Sequence, residues 1–224
     1  MKKIAIIAAH PDDEAIGCGA TIIKAKEQGH EIHLLYMTDG ISSRNNLSEE
    51  EHYTRKLQSN LVNELIHPKT FLNLDFPDNQ MDKVSLLEII KKIEDFLLEV
   101  KADIVITHTN SELNIDHQLT HRAVMTATRP GSLTFVKKVL GFEVASSTEW
   151  SLLNNYFQPT YFIDVTDFIE KKVNFLKCYN AELRKFPHPR SIENIKCLAQ
   201  LRGASICVNY AEAFVVLREL SCEF

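Results

Sequence analysis

The sequence lacks any uninterrupted apolar run near the about eighteen residues that a membrane span needs, so no membrane-spanning helix is expected. Its start, MKKIAIIAAHPDDE, has only Ile4 to Ala9 as an apolar stretch before charges follow, too short for a signal-peptide core. No Lys/Arg-dense run is present, and 25 basic against 30 acidic side chains leave a formal charge of −5, which argues against nucleic acid or an anionic membrane as the main partner. The five cysteines, Cys18, Cys178, Cys197, Cys207 and Cys222, are odd in number and form no CxxC. A disulfide framework and a thiolate zinc site are therefore not indicated, and the reduced cytoplasm is the expected location. There is no repeat, no low-complexity tract and no linker that would split the 224 residues. A single domain is expected, large enough to bury about 70% of its unfolded surface without a structural staple.

What is present alternates between strand and helix signals. Ile4 to Ala9 reads as a strand buried on both faces, ended by His10-Pro11. Helical spacing then runs from Gly19 to a C-cap at Gly29, and Ile32 to Met37 forms a second strand closed by Thr38-Asp39-Gly40. A helix is predicted over Ser48 to Ile66, a strand over Thr70 to Leu74, an amphipathic helix over Ser85 to Val100 and a buried strand over Asp103 to Thr107. A further helix begins near Asp116. Beyond it, Val136 to Val144 and Thr160 to Val165 read as strands, Thr166 to Leu183 as a helix, and Phe186 to Ser191 as a Pro-bounded loop. The fold predicted is α/β and Rossmann-like: an open, mostly parallel sheet with helices on both faces and its ligand site beyond the carboxyl ends of the strands.

Two clusters fall at that edge. His10-Pro11-Asp12-Asp13-Glu14 follows the first strand, and Asn114-Ile115-Asp116-His117-Gln118-Leu119-Thr120-His121 follows the Asp103 to Thr107 strand. Crowded carboxylates need a cation or strong donors to offset them, and a histidine and an aspartate from the first loop with one histidine from the second make a His₂-carboxylate set suited to zinc. Such an ion lowers the pKa of a water to about 7, and the first-loop aspartate not used as a ligand remains as a general base. Glu14 reads as a structural hydrogen-bond partner, Cys18 as a small buried residue, and Gly17-Cys18-Gly19 as an incomplete phosphate-binding pattern that disfavours a nucleotide cofactor.

The AHPDDE run, the TDG ending the second strand, the FPDN at Phe76 to Asn79 and the Asp116-His117 pair together resemble the PIG-L/LmbE-like metal-dependent N-deacetylases. GFEVASSTEW, at Gly141 to Trp150, and FPHPRS resemble the branch found among bacterial surface-polysaccharide and glycoconjugate enzymes. The resemblance implies that His10, Asp13 and His117 hold one zinc ion per chain, that Asp12 is the base, and that Asp116 orients the residue two positions before it. The family has a histidine at that position, and this chain has Asn114, whose amide donates a hydrogen bond but carries no titratable proton. The acid role then passes to Asp12 after it has acted as base, with His188 next and His108 a further candidate. Asp39, Arg44, Arg55, Asp78, Glu143 and Arg190 are the expected contacts to sugar hydroxyls or a phosphate. The implied substrate is a small acetamido sugar, in a nucleotide-sugar or glycan-precursor form, and the resemblance alone implies a homo-oligomer. Other readings are a deacetylase of a glucosaminyl thiol precursor or another small N-acyl compound, and a non-catalytic metal- and ligand-binding homologue.

Overall fold

The computed structural model describes residues 1–44, 48–151 and 156–221; of the cysteines, Cys222 lies outside them. Its centre is one seven-stranded sheet in the order β3-β2-β1-β4-β5-β7-β6. The strands are β1 (Lys3–Ala8), β2 (Glu31–Thr38), β3 (Thr70–Phe76), β4 (Ile104–His108), β5 (Lys138–Phe142), β6 (Tyr161–Asp164) and β7 (Ala211–Glu219). The first five run parallel, and β7 lies antiparallel between β5 and β6.

The helices are α1 (Asp13–Glu27), α2 (Glu49–Ile66), α3 (Leu86–Val100), α4 (Ile115–Ala127), α5 (Ile169–Cys178) and α6 (Ile192–Ala204). Two apolar layers show which face each covers. Ile22, Val62, Phe175 and Ile195, from α1, α2, α5 and α6, pack on one side of the sheet. Ile89, Ile93 and Leu97 of α3 pack with Val124 of α4 on the other. The apolar spacing of α3 dictates this directly, because Ile89, Ile90, Ile93, Phe96, Leu97 and Val100 share one stripe and all are buried. At α2, Ser48 accepts from the Glu51 amide while the Glu51 carboxylate accepts from the Ser48 amide, a reciprocal cap that fixes where the helix starts.

The chain order reverses direction between β1 and β4, so the loops after those two strands face each other across a switch point. The Ala9 amide donates to His108 Nε2 at 2.9 Å and ties the two strand ends together.

Several boundaries differ from the expectation. α1 starts at Asp13 rather than Gly19, because it is two helical stretches joined at Cys18 (φ −143°, ψ 22°), and the periodic pattern belongs only to the second. At the break, Lys172 of α5 donates to the Ile16 carbonyl, while Glu212 of β7 accepts from the Ala20 and Thr21 amides and pairs with Lys172 at 2.6 Å. This buried ion pair caps both halves. A Cβ at Gly17 would lie 2.3 Å from Phe142, so glycine is there for close approach to β5 and not for a phosphate. The predicted 166–183 helix is a 3₁₀ turn over Thr166–Phe168 followed by the shorter α5, and the strand after α4 is confined to β5. Helix α6 and strand β7 were not anticipated. β7 adds the antiparallel element, and its Phe214 to Leu217 run was the available signal.

Candidate metal centre and active site

The loop after β1 and the segment from β4 into α4 converge on three atoms. His10 Nδ1 lies 3.2 Å from Asp13 Oδ2 and 3.1 Å from His117 Nε2, and the third edge, His117 Nε2 to Asp13 Oδ2, is 3.3 Å. All three residues are buried.

Their other contacts fix which atoms carry protons. His117 Nδ1 donates to Glu112 Oε2 at 2.9 Å. His10 Nε2 lies 3.2 Å from both Asp116 Oδ2 and Asp78 Oδ1, and donates toward that acidic pair. With the outward nitrogens protonated, the inward atoms His10 Nδ1, His117 Nε2 and Asp13 Oδ2 present side-chain lone pairs to one another; Asp13 Oδ2 also accepts from the His10 amide at 2.9 Å, and Asp13 Oδ1 is buried without a hydrogen-bond partner. A cation answers that arrangement. A tetrahedral ion with bonds of 2.0–2.2 Å separates its ligands by about 3.3 Å, which the three observed edges match. Histidines that hold a metal through one nitrogen and a carboxylate through the other are the usual pattern at such sites.

The electrostatics agree. Burial alone would lower the pKa of His10, yet hydrogen bonds to Asp116, Asp13 and Asp78 raise it well above its ordinary value. Burial likewise opposes the charged form of His117, but the Asp13 and Glu112 carboxylates carry it up to about 9. Without a metal, the acids around both rings call for positive charge.

Asp12 stands beside this triad and outside it. It occupies the N-cap position of α1 at φ 120°, a backbone region that L residues rarely adopt, and its side chain makes no cap hydrogen bond. Arg190 Nη1 donates to Asp12 Oδ2 at 2.9 Å, and burial, partly offset by that arginine, lifts the Asp12 carboxyl to about 6. Glu14 accepts from the Asp12 amide and the Tyr179 hydroxyl, a structural role as expected, and burial pushes it to about 7.

His10, Asp12, Asp78, Asn114, Arg55 and Arg190 line a cavity of about 190 Å³ at the strand ends. Asp78 accepts from Ser43 and His10, and these bonds outweigh burial to bring it down to about 2. Arg44 lines the same cavity.

Other predicted residues are placed differently. Asp116 does not hold Asn114 through its side chain; it accepts from the Asn79 and Met81 amides and contacts His10. The Asn114 carbonyl caps α4 through the Asp116 and His117 amides, and its amide donates to Asn79. Asp39 accepts from the Ile41 and Ser42 amides in a turn. Glu143 forms a two-pronged pair with Arg202 on a separate groove. His188 is exposed, and its Nδ1 accepts from the Arg190 amide. His108 spends Nε2 on the Ala9 amide, and burial with neighbouring His117 pushes its pKa well below 6.5, which removes it as an acid. His121 donates to the His108 carbonyl and supports the site from outside.

Sequence reasoning missed two acids. Glu112 joins His117 to the hydroxyls of Ser147 and Thr148, and Glu182 joins Arg44 to Arg55. Glu112 lies five residues before His117, which was the one local hint.

The family model described as PIG-L, GlcNAc-PI de-N-acetylase, matches residues 5–128. An uncharacterised deacetylase of Escherichia coli (strain K12) is 28% identical over 148 residues, covering 65% of this chain and 76% of the relative. The diacetylchitobiose deacetylase of Thermococcus kodakarensis is 27% identical over 192 residues, covering 81% of this chain and 70% of the relative. In three dimensions, the N,N'-diacetylchitobiose deacetylase of Pyrococcus horikoshii superposes with a TM-score of 0.77 at 22% identity, covering 97% of this chain and 84% of that one. The family match spans more than half of the chain, including the loop after β1 and the Asp116-His117 pair, and the protein belongs to the PIG-L deacetylase family.

Proposed function

We propose that the protein is a zinc-dependent hydrolase that removes the N-acetyl group from an N-acetylated amino sugar, releasing acetate and a free amine. The observation that carries this reading is the buried triangle of His10 Nδ1, Asp13 Oδ2 and His117 Nε2, with edges of 3.1–3.3 Å. A His₂-carboxylate set is a zinc set, although other divalent ions accept it. A bound ion there supplies Lewis acidity toward the acetamide oxygen and toward water.

The remaining chemistry belongs to side chains of this chain. Asp12, held by Arg190, takes the proton of the attacking water as its oxygen bonds to the acetamide carbon. When the carbon–nitrogen bond breaks, Asp12 returns that proton to the leaving nitrogen, since Asn114 has none to give. Asp78, Arg55 and Arg44 are the contacts to sugar hydroxyls. The related archaeal deacetylases named for diacetylchitobiose support a sugar substrate.

Elemental analysis of wild type and His117→Ala, paired with acetate release from N-acetylated amino sugars, tests the reading. About one zinc per chain, lost in the variant together with acetate release, is the expected result. Protein purified without chelator that carries no divalent metal sinks it.

A further inference from the structure

The catalytic cavity shares a wall with a second one. Arg44, Arg55 and Glu182 line both it and a neighbouring cavity of about 340 Å³. Small-molecule sites run from roughly 300 to 1,000 Å³. At about 190 Å³ the catalytic cavity alone falls short of that range, so a ligand of ordinary size extends over the wall that the two spaces share. Beyond the wall lie the carboxylates of Glu50 and Glu51 and the polar side chains of Ser48, Thr54 and Gln58.

Every guanidinium group on these surfaces is already held. Arg44 donates to Glu182 Oε1 at 2.6 Å, Arg55 reaches the same oxygen at 3.0 Å, and Arg190 is paired with Asp12 at 2.9 Å. Among the described residues that line the two cavities, the carboxylates of Asp12, Asp78, Glu182, Glu50 and Glu51 outnumber these three cations. A divalent ion together with its Asp13 carboxylate adds one net positive charge to that difference of two, which leaves the balance negative.

A phosphate is bound through charge-assisted donors that point at it and are free to do so. Here it would have to break an ion pair that is partly buried, and would add negative charge next to Glu50 and Glu51. Hydroxyl groups meet no such obstacle, because paired guanidinium and carboxylate groups keep spare N–H groups and lone pairs for neutral partners.

Resting on the deacetylase reading above, we infer that the substrate is an uncharged, hydroxyl-rich acetamido glycan of more than one ring, and that Glu182 is a specificity residue that turns phosphorylated and nucleotide-linked sugars away by occupying Arg44 and Arg55. Of the two forms expected from the sequence, this selects the glycan over the nucleotide sugar.

The test uses the metal-loaded full chain and three probes: N,N'-diacetylchitobiose, N-acetylglucosamine 1-phosphate and UDP-N-acetylglucosamine. Wild type is expected to release acetate from the disaccharide with a kcat/KM about ten-fold or more above either charged probe. Glu182→Gln keeps the side-chain volume and an acceptor but removes the negative charge that neutralises both arginines, so it narrows that ratio about ten-fold, through a lower KM for the charged probes. Glu51→Gln, on the exposed first turn of α2, narrows it less and in the same direction, and decides the matter should the Glu182 variant not fold. A wild type that prefers either charged probe overturns the inference, as does an unmoved ratio in the variants that fold.

Calorimetry separates this idea from the one beneath it. Disaccharide binding without acetate release refutes the deacetylase reading and leaves the charge argument standing. UDP bound more tightly than the disaccharide, or neither bound, overturns the charge argument whatever the chemistry.

Discussion

Replacing Glu112 by alanine probes how far the metal triad depends on a residue that no motif marks. The Glu112 carboxylate is 2% exposed and accepts from His117 Nδ1 and from the Ser147 and Thr148 hydroxyls. Alanine strips three donors of their acceptor. A buried donor left unpaired costs about 1–3 kcal/mol, and since the two hydroxyls can rotate toward other acceptors, a total loss of about 3 kcal/mol is expected. The metal feels a second effect, because the His117 ring loses the partner that fixes its tautomer and presents Nε2 to the triad. Partners of this kind are worth 10–100-fold in metal affinity, or about 1.4–2.8 kcal/mol. Glu112→Gln retains an acceptor for His117 and fills the same space, so its affinity falls between wild type and alanine. Urea denaturation measures the first effect, and competition with a chromogenic chelator measures the second. A folded Glu112→Ala that binds zinc as tightly as wild type would refute the reasoning, since the orientation of His117 would then owe nothing to the carboxylate.

Three further outcomes are expected. Asp12→Asn lowers kcat for acetate release by about 10²–10⁴-fold while zinc stays bound; His188→Gln, which reaches Asp12 only through the backbone of Arg190, lowers it far less in the same assay. Gly17→Ala drives a Cβ against Phe142 and the Glu143 carbonyl and lowers stability by about 1–3 kcal/mol in urea melts; an unchanged midpoint would show that β5 yields more easily than its buried packing suggests. Glu212→Ala leaves Lys172 unpaired at 3% exposure and costs about 3–5 kcal/mol by thermal denaturation, whereas Lys172→Met/Glu212→Gln recovers part of that loss by removing the stranded charge.

The two clusters of the candidate metal site were legible because each follows a strand whose signal is local. A continuous apolar run ends at His10, and another ends just before His108, so both clusters could be set at one sheet edge from periodicity alone. Glu112 and Glu182 were not legible. Apart from His117, five residues on from Glu112, their partners are hydroxyls and guanidinium groups up to 138 residues away, and pairing across that distance leaves no trace in spacing. Asn114 was seen as a departure from the family pattern, but its use as a helix cap follows from φ −66°, ψ 129° and an amide geometry visible only in three dimensions. Strand β7 escaped for a related reason. Its buried Glu212 and half-buried Arg218 interrupt the apolar alternation that marks a strand, and both charges are there to serve other elements.

The break at Cys18 bears on how portable this active site is. The half-helix that begins at Asp13 hands the Ile16 carbonyl to Lys172, and Glu212 restarts the helix two residues after Cys18. The ligand-bearing loop is thus a short cantilever whose clamp comes from α5 and β7, late in the chain. A fragment ending at residue 128 would keep His10, Asp12, Asp13 and His117 and lose the clamp, the Phe142 wall and Arg190. A designer who grafts the HPDDE turn onto another sheet inherits the same debt, and must import a buried cation and a buried acid from unrelated parts of the new scaffold. The motif is short in sequence, yet its mechanical footprint covers the chain from Ile16 to Glu212.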